Sequence, residues 1–338
     1  MMRRRRVAVA VAAALLIAGL FASCGGDEGE PLPPLASPVV TLGGTEGPDI
    51  VGGWSEAAPM LTARSEITSA LLDDAVFIIG GFEAAGGNSD AVEVYDPTAD
   101  LWQPVAPLPV KLDHAMAAVV EGRLFVIGGY RVFGGEISSA TYEYVPLQDT
   151  WTPRAPLPLA RAAGAAVALD GQVYVFGGVG PEPAVPLAYD PATDSWRRVA
   201  PMAGPREHLT AQAVDHVIYV IGGRWSGANL ATVEAYDPAS DGWKPSSAMP
   251  TARGGLASAV LDGRIHVFGG EDLAAGSTFA EHEAYDPAVD GWTASPPLPT
   301  ARHGLAAESV DGRLYVIGGG EDAGFSTTGL VEVFTQGD

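Results

Sequence analysis

The sequence predicts an all-β fold, a six-bladed β-propeller with four antiparallel strands per blade and a last blade closed by an N-terminal strand. Three observations lead there. Glycine pairs recur at Gly80-Gly81, Gly128-Gly129, Gly177-Gly178, Gly222-Gly223, Gly269-Gly270 and Gly318-Gly319, at intervals of 45 to 49 residues, the spacing of propeller blades. An aromatic follows each pair, at Tyr95, Tyr144, Tyr189, Tyr236, Tyr285 and Phe334. A tryptophan stands seven residues beyond the first five aromatics, at Trp102, Trp151, Trp196, Trp243 and Trp292, and the sixth is found at the other end of the repeats as Trp54.

The chain begins with Met1, Met2 and four arginines, followed by sixteen apolar or small residues from Val7 to Ala22. That run is shorter than the roughly 20 residues of a membrane-spanning helix, so residues 1–23 read as a cleaved export signal. Leu20-Phe21-Ala22-Ser23-Cys24 resembles a bacterial lipobox, with Phe21 where that pattern prefers leucine. The resemblance implies acylation of Cys24 and a protein held in the cell envelope by a lipid anchor; without acylation it would be periplasmic or secreted. Cys24 is the single cysteine, so no intrachain disulfide is possible. Residues 24–53 turn to glycine, proline and acidic residues without apolar periodicity, as in Pro31-Leu32-Pro33-Pro34-Leu35, and read as an extended linker.

The propeller occupies residues 54–335. Each repeat reads as four strands: a run such as Leu256 to Leu261, the Asp262-Gly263 turn, and a run from Arg264 to Phe268 ending in the glycine pair. Asp-Gly suits a tight hairpin because both residues tolerate positive φ. The second hairpin turns at an Asp-Pro-x-x-Asp stretch, as in Asp237-Pro238-Ala239-Ser240-Asp241, and the fourth strand carries the tryptophan. Ten residues after each tryptophan stand Arg64, Leu112, Arg161, Arg206, Arg253 and Arg302. Trp54 keeps that interval to Arg64, which places it in register as the outer strand of the last blade. The aromatics are expected to fill the space between sheets.

Glycine pair, aromatic, tryptophan and arginine at these offsets resemble the kelch repeat, and the resemblance covers residues 54 to 335. The departures are local: Leu112 replaces the arginine in the second repeat, Val145-Pro146 replaces its Asp-Pro, and Asp73-Asp74 and Asp215-His216 lack the turn glycine.

Composition bounds the partners. The 338 residues carry a formal charge of −22, and loss of the first 23 leaves 15 basic against 41 acidic residues, a net of −26. Phosphate binding needs a dense basic surface, so nucleic acid is excluded as the main partner and a membrane is reached only through the anchor. The expected partners are a protein, peptide or glycan. Strand direction puts the loops after the glycine pairs on the same face as the arginine-bearing connections between blades, and variable loops on a rigid scaffold are where recognition is expected. Trp225 is the one tryptophan outside the register; it lies beside Arg224 in the fourth loop. Trp225 and Arg224 are therefore candidate ligand residues, with Tyr130 and Arg131 of the second loop and the register arginines Arg64, Arg161, Arg206, Arg253 and Arg302. The simpler reading of a residue repeated in five of six blades is a scaffold element, although the kelch resemblance allows arginines here to bind acidic ligands.

His114, His208 and His303 fall one or two residues after the register position in different repeats. No spacing motif joins them, so neither a metal site nor a cofactor is expected. Copper oxidases of this propeller type use a cysteine-crosslinked tyrosine, which the lone Cys24 does not offer. The main functional expectation is a non-enzymatic binding module. Its alternatives are a structural envelope protein and a sugar-processing enzyme resembling the sialic acid mutarotases, with Glu207, His208 and Arg206 as catalytic candidates, joined by Glu83, Arg131 or Glu271.

Overall fold

The computed structural model describes residues 53–132 and 134–337. The export signal, Cys24 and nearly all of the linker lie outside the described residues. Six four-stranded antiparallel sheets form the blades, three two-stranded ribbons lie in the connections, and there is no helix among the described residues. The blades follow one another at 68–105, 116–154, 162–198, 210–246 and 257–294, and the sixth combines 306–335 with Gly53–Glu56. In that last blade Trp54 pairs with Phe334 and Gly53 with Thr335. The predicted closure of the ring by the N-terminal strand is what the structure contains.

The repeat residues turn out to be joints between blades. The first glycine of each pair is left-handed, as at Gly80 (φ 61), where a Cβ would come within 2.5 Å of the Leu112 carbonyl in the next connection. The second glycine donates its N–H to that carbonyl: Gly81 to Leu112, Gly223 to Arg253, and Gly319 to Arg64 across the closure. Only glycine allows two backbones this close at positive φ. The hairpin turn tolerates loss of its glycine, because Asp73-Asp74 and Asp215-His216 still adopt positive φ at both positions (51 and 65, 48 and 64).

Each register tryptophan donates its indole N–H to a carbonyl of the preceding connection, as Trp102 to Ala58 at 2.7 Å and Trp151 to Ala106 at 2.9 Å. Beside it, the tyrosine hydroxyl donates to the last aspartate of the Asp-Pro turn, and the same carboxylate oxygen accepts an N–H from that connection. Tyr95 and Ala58 meet in this way on Asp100, and Tyr285 and Ser247 on Asp290. Blade 6 lacks this link, since Phe334 has no hydroxyl; there Trp54 donates to the Pro296 carbonyl at 3.0 Å without it.

The register arginines lie inside the blades, each at most 2 % exposed. Four meet a buried glutamate on the third strand of their own blade: Arg64 with Glu93, Arg206 with Glu234, Arg253 with Glu283 and Arg302 with Glu332. Arg161 has no such partner and donates instead to the carbonyls of Pro181, Glu182 and Val185.

Candidate functional site

The innermost strands surround a central channel with a cavity of about 370 Å³, walled largely by alanine, glycine, serine and threonine. On the loop face its mouth is a ring of six equivalent residues, each two beyond the register position: Glu66, His114, Ala163, His208, Gly255 and Gly304. All six have left-handed φ, between 49 and 70. Backbone bonds run around the ring from His114 to Glu66, Ala163 to His114, His208 to Ala163, Gly255 to His208 and Gly304 to Gly255. Positive φ is cheap for the glycines but costs a side-chain residue roughly 1 kcal/mol or more. At Glu66, His114 and His208 that strain is offset by the chain of hydrogen bonds and by what the side chains then meet.

They meet one another. His114 Nε2 lies 2.9 Å from His208 Nε2 and 3.1 Å from a Glu66 carboxylate oxygen. The residue before each ring position supplies a further partner: Asp113 accepts from His114 Nδ1 at 2.5 Å, Glu207 accepts from His208 Nδ1, and His303 Nδ1 donates to Glu66 at 3.1 Å. Arg224 then bridges Glu207 (3.1 Å) and Glu271 (2.6 Å), and Glu271 lies 3.5 Å from His303. The side chains form a closed circuit around the mouth, from Glu66 through His114, His208, Glu207, Arg224, Glu271 and His303 back to Glu66.

The circuit sets its own charges. Burial works against a charged His114, but the Glu66 and Asp113 carboxylates raise its imidazole to about 9. Burial and then the His114 charge hold His208 well below the usual imidazole range, so the proton between the two Nε2 atoms belongs to His114. Burial pushes the Glu66 carboxyl up, yet His114 and His303 more than reverse this and hold it well below the ordinary carboxylate range. For His303, burial is outweighed by Glu66 and Glu271, and its pKa rises. Glu66, His114 and His208 put three ligand atoms within 4.8 Å of one another, and Glu66, Glu271 and His303 do the same. The donors are imidazole nitrogens and carboxylate oxygens, a set suited to borderline divalent metals.

A second cavity, of about 770 Å³, opens among the loops of blades 1, 2 and 6. Phe82, Val132 and Phe325 supply its apolar wall, and Val132 (60 %) and Phe325 (78 %) are exposed. Lys111 and Arg131 are its cations, and Glu83 is the one acidic residue that lines it.

The sequence candidates divide between these places. Arg131 lines the loop groove, where it pairs with Glu136 at 2.9 Å. Tyr130 is buried with its ring 5.6 Å from that of His114. Arg224 belongs to the mouth circuit, while Trp225 sits half exposed on a two-residue hairpin paired with Ala228. Glu207 and His208 are adjacent partners in the circuit, whereas Arg206 points into its blade toward Glu234. The other register arginines, Arg64, Arg161, Arg253 and Arg302, are likewise engaged inside the blades and do not form a guanidinium ring at the mouth. Sequence reasoning missed Glu66 and Asp113. The available signal was their offset, since Glu66 occupies in the first repeat the place that His114 and His208 occupy in the second and fourth.

Comparison with known proteins agrees with this architecture. The KLHDC2/KLHL20/DRC7 Kelch-repeats domain matches residues 114–320, and the Kelch motif matches residues 63–109. A stretch of 51 residues is 41% identical to the Kelch repeat-containing protein kel-10 of Caenorhabditis elegans, covering 15% of this chain and 9% of that protein. The match therefore spans only a small part of that relative. The solved structure described as "Structure of YjhT" superposes with a TM-score of 0.73 at 18% identity, over 84% of this chain and 98% of the other, which is a likeness of fold.

Proposed function

Because the chain belongs to the KLHDC2/KLHL20/DRC7 kelch-repeat domain family, we propose that it is a protein-binding module whose loop face takes an extended segment of a partner in the groove of blades 1, 2 and 6. The observation that carries this reading is the groove itself. On a chain of net charge −22 it combines exposed Phe325 and Val132 with Lys111 and Arg131. Exposed aromatic surface is retained where it is used, and an apolar anchor beside cations suits a peptide bearing a hydrophobic side chain and a carboxylate.

The test is a peptide and glycan array probed with the wild-type protein and with Phe325→Ala, Arg131→Ala and Trp225→Ala. A peptide hit weakened at least about tenfold by the first two changes and unmoved by the third supports the groove. A hit lost only in Trp225→Ala moves the site to the fourth loop and overturns this reading.

The second reading, a sugar-processing enzyme at the channel mouth, draws on the perturbed imidazoles and carboxylates there. It requires turnover of a free sugar that Glu207→Gln abolishes.

Display outside the cytoplasm on an acylated Cys24 is part of the proposal and rests on the N-terminal pattern alone. Cells grown with a labelled fatty acid should yield labelled protein beginning at Cys24. Label retained by Cys24→Ser would sink the anchor.

A further inference from the structure

We propose that Glu66, His114 and His208 bind a divalent transition-metal ion of the zinc type at the mouth of the central channel, with its open coordination position toward the channel. The geometry is that of a built site. Three residues from three blades accept left-handed backbone conformations, with φ of 50, 49 and 53, and so aim their side chains at one point. Ala163, Gly255 and Gly304 occupy the equivalent ring positions and bring no competing side chain.

The donor atoms are already nearly at ligand spacing. A tetrahedral ion with bonds of about 2.0–2.1 Å holds its ligand atoms roughly 3.3 Å apart. His114 Nε2 lies 2.9 Å from His208 Nε2 and 3.1 Å from Glu66, so these two pairs need to open by a few tenths of an ångström, and the third pair, His208 with Glu66, lies within 4.8 Å. Two imidazole Nε2 atoms that face each other at this distance need something positive between them, a proton or a metal ion.

The outer contacts point the same way. Histidines that bind metals characteristically donate their other N–H to a carboxylate, which fixes ring orientation. Asp113 does this for His114 and Glu207 for His208, while His303 holds the second oxygen of Glu66. Each of the three ligands thus has an orienting partner in the residue at the same place in its own repeat or, for Glu66, in blade 6. Arg224 in turn fixes Glu207. All three ligands line the channel cavity of about 370 Å³, so the site has three protein ligands and room for a water or a ligand atom. That is the pattern of open rather than purely structural zinc sites.

The experiment uses the full chain, stripped with a chelator and titrated with Co²⁺, whose visible d–d spectrum reports coordination geometry, followed by displacement with Zn²⁺. The expected result is one Co²⁺ per chain with a tetrahedral-type spectrum that one equivalent of Zn²⁺ removes and excess Mg²⁺ does not. Glu66→Gln and His208→Asn should abolish the spectrum, and Asp113→Asn should weaken binding about 10–100-fold. His216→Ala, which alters an exposed histidine paired with Asp170, should change nothing. Wild-type protein that gives no such spectrum overturns the assignment, whatever the variants do. So does a spectrum that persists unchanged in both ligand variants, which would place the ion on the acidic surface.

Discussion

Trp54→Ala tests whether one side chain holds the ring closed. The indole lies in the cluster between blades 5 and 6, with ring centroids 5.2 Å from Phe334, 5.7 Å from His282 and 6.0 Å from Phe268, and its N–H bonds the Pro296 carbonyl. A fully buried tryptophan costs about 3–5 kcal/mol on truncation. Trp54 is half-buried, so about 2–3 kcal/mol is appropriate, and the lost hydrogen bond adds about 1. In the other blades the tyrosine–aspartate link survives such a change: after Trp292→Ala, Asp290 would still hold Ser247. Phe334 offers no such link, and Trp54 also sits on the four-residue strand that closes the sheet. The total, about 3–4 kcal/mol, corresponds to a fall in Tm of roughly 10 °C for a domain of this size. Thermal unfolding followed by circular dichroism, with Trp54→Ala and Trp292→Ala side by side, should rank Trp54→Ala as the more damaging. The N-terminal strand should also become sensitive to protease at temperatures where wild type resists. An unchanged Tm, or a smaller loss than in Trp292→Ala, would refute closure by this strand.

Two further outcomes follow from buried charges. Glu332→Gln leaves Arg302 buried without its carboxylate and should cost about 3–5 kcal/mol in denaturant titrations. The double change Arg302→Leu with Glu332→Tyr copies what blade 2 already carries as Leu112 and Tyr142, and should cost less than the single one. In the channel, burial raises the Glu308 carboxyl from 4.5 to about 7 against the opposing hydrogen bond from Ser69. Because the folded state favours the protonated form, its stability is intact below about pH 4.5, falls as pH rises toward 7 and is level above. Glu308→Gln should remove that slope and gain at most about 3 kcal/mol at pH 8; equal pH dependence in both proteins would contradict it.

The parts of the fold that could be read from the sequence are those whose chemistry recurs in every blade. Glycine pairs, tyrosines and tryptophans stand at fixed offsets because each makes the same joint with the next blade. Their displacement at the ends announced the closure by Trp54. The arginine partners were equally periodic but went unread. Glu93, Glu234, Glu283 and Glu332 each precede the blade's aromatic by two residues, in four of the five blades that carry a register arginine. Where the glutamate is replaced by Leu187, Arg161 turns to carbonyls; where it is replaced by Tyr142, the arginine is Leu112. The covariation within one chain marks an internal pair, and it explains why these arginines lie inside the blades rather than at the channel mouth.

Site chemistry obeys a different logic, because it appears where the repeat is broken. At the ring position a propeller needs no functional side chain, since Gly255 and Gly304 fill it in two blades and Ala163, also at positive φ, in a third. The other three carry Glu66, His114 and His208, which accept left-handed backbone and whose polar atoms meet mainly one another and the partners behind them. His114 and His208 lie 94 residues apart, so no spacing rule relates them; only ring closure through six sheets makes them neighbours. The same holds for the groove, whose Phe82, Arg131 and Phe325 come from loops of unequal length in blades 1, 2 and 6. Left-handed backbone is retained at four non-glycine ring positions, and the three that carry a carboxylate or imidazole, each with its own partner behind it, are better explained by a shared ligand than by the scaffold, which Ala163, Gly255 and Gly304 satisfy without side-chain chemistry.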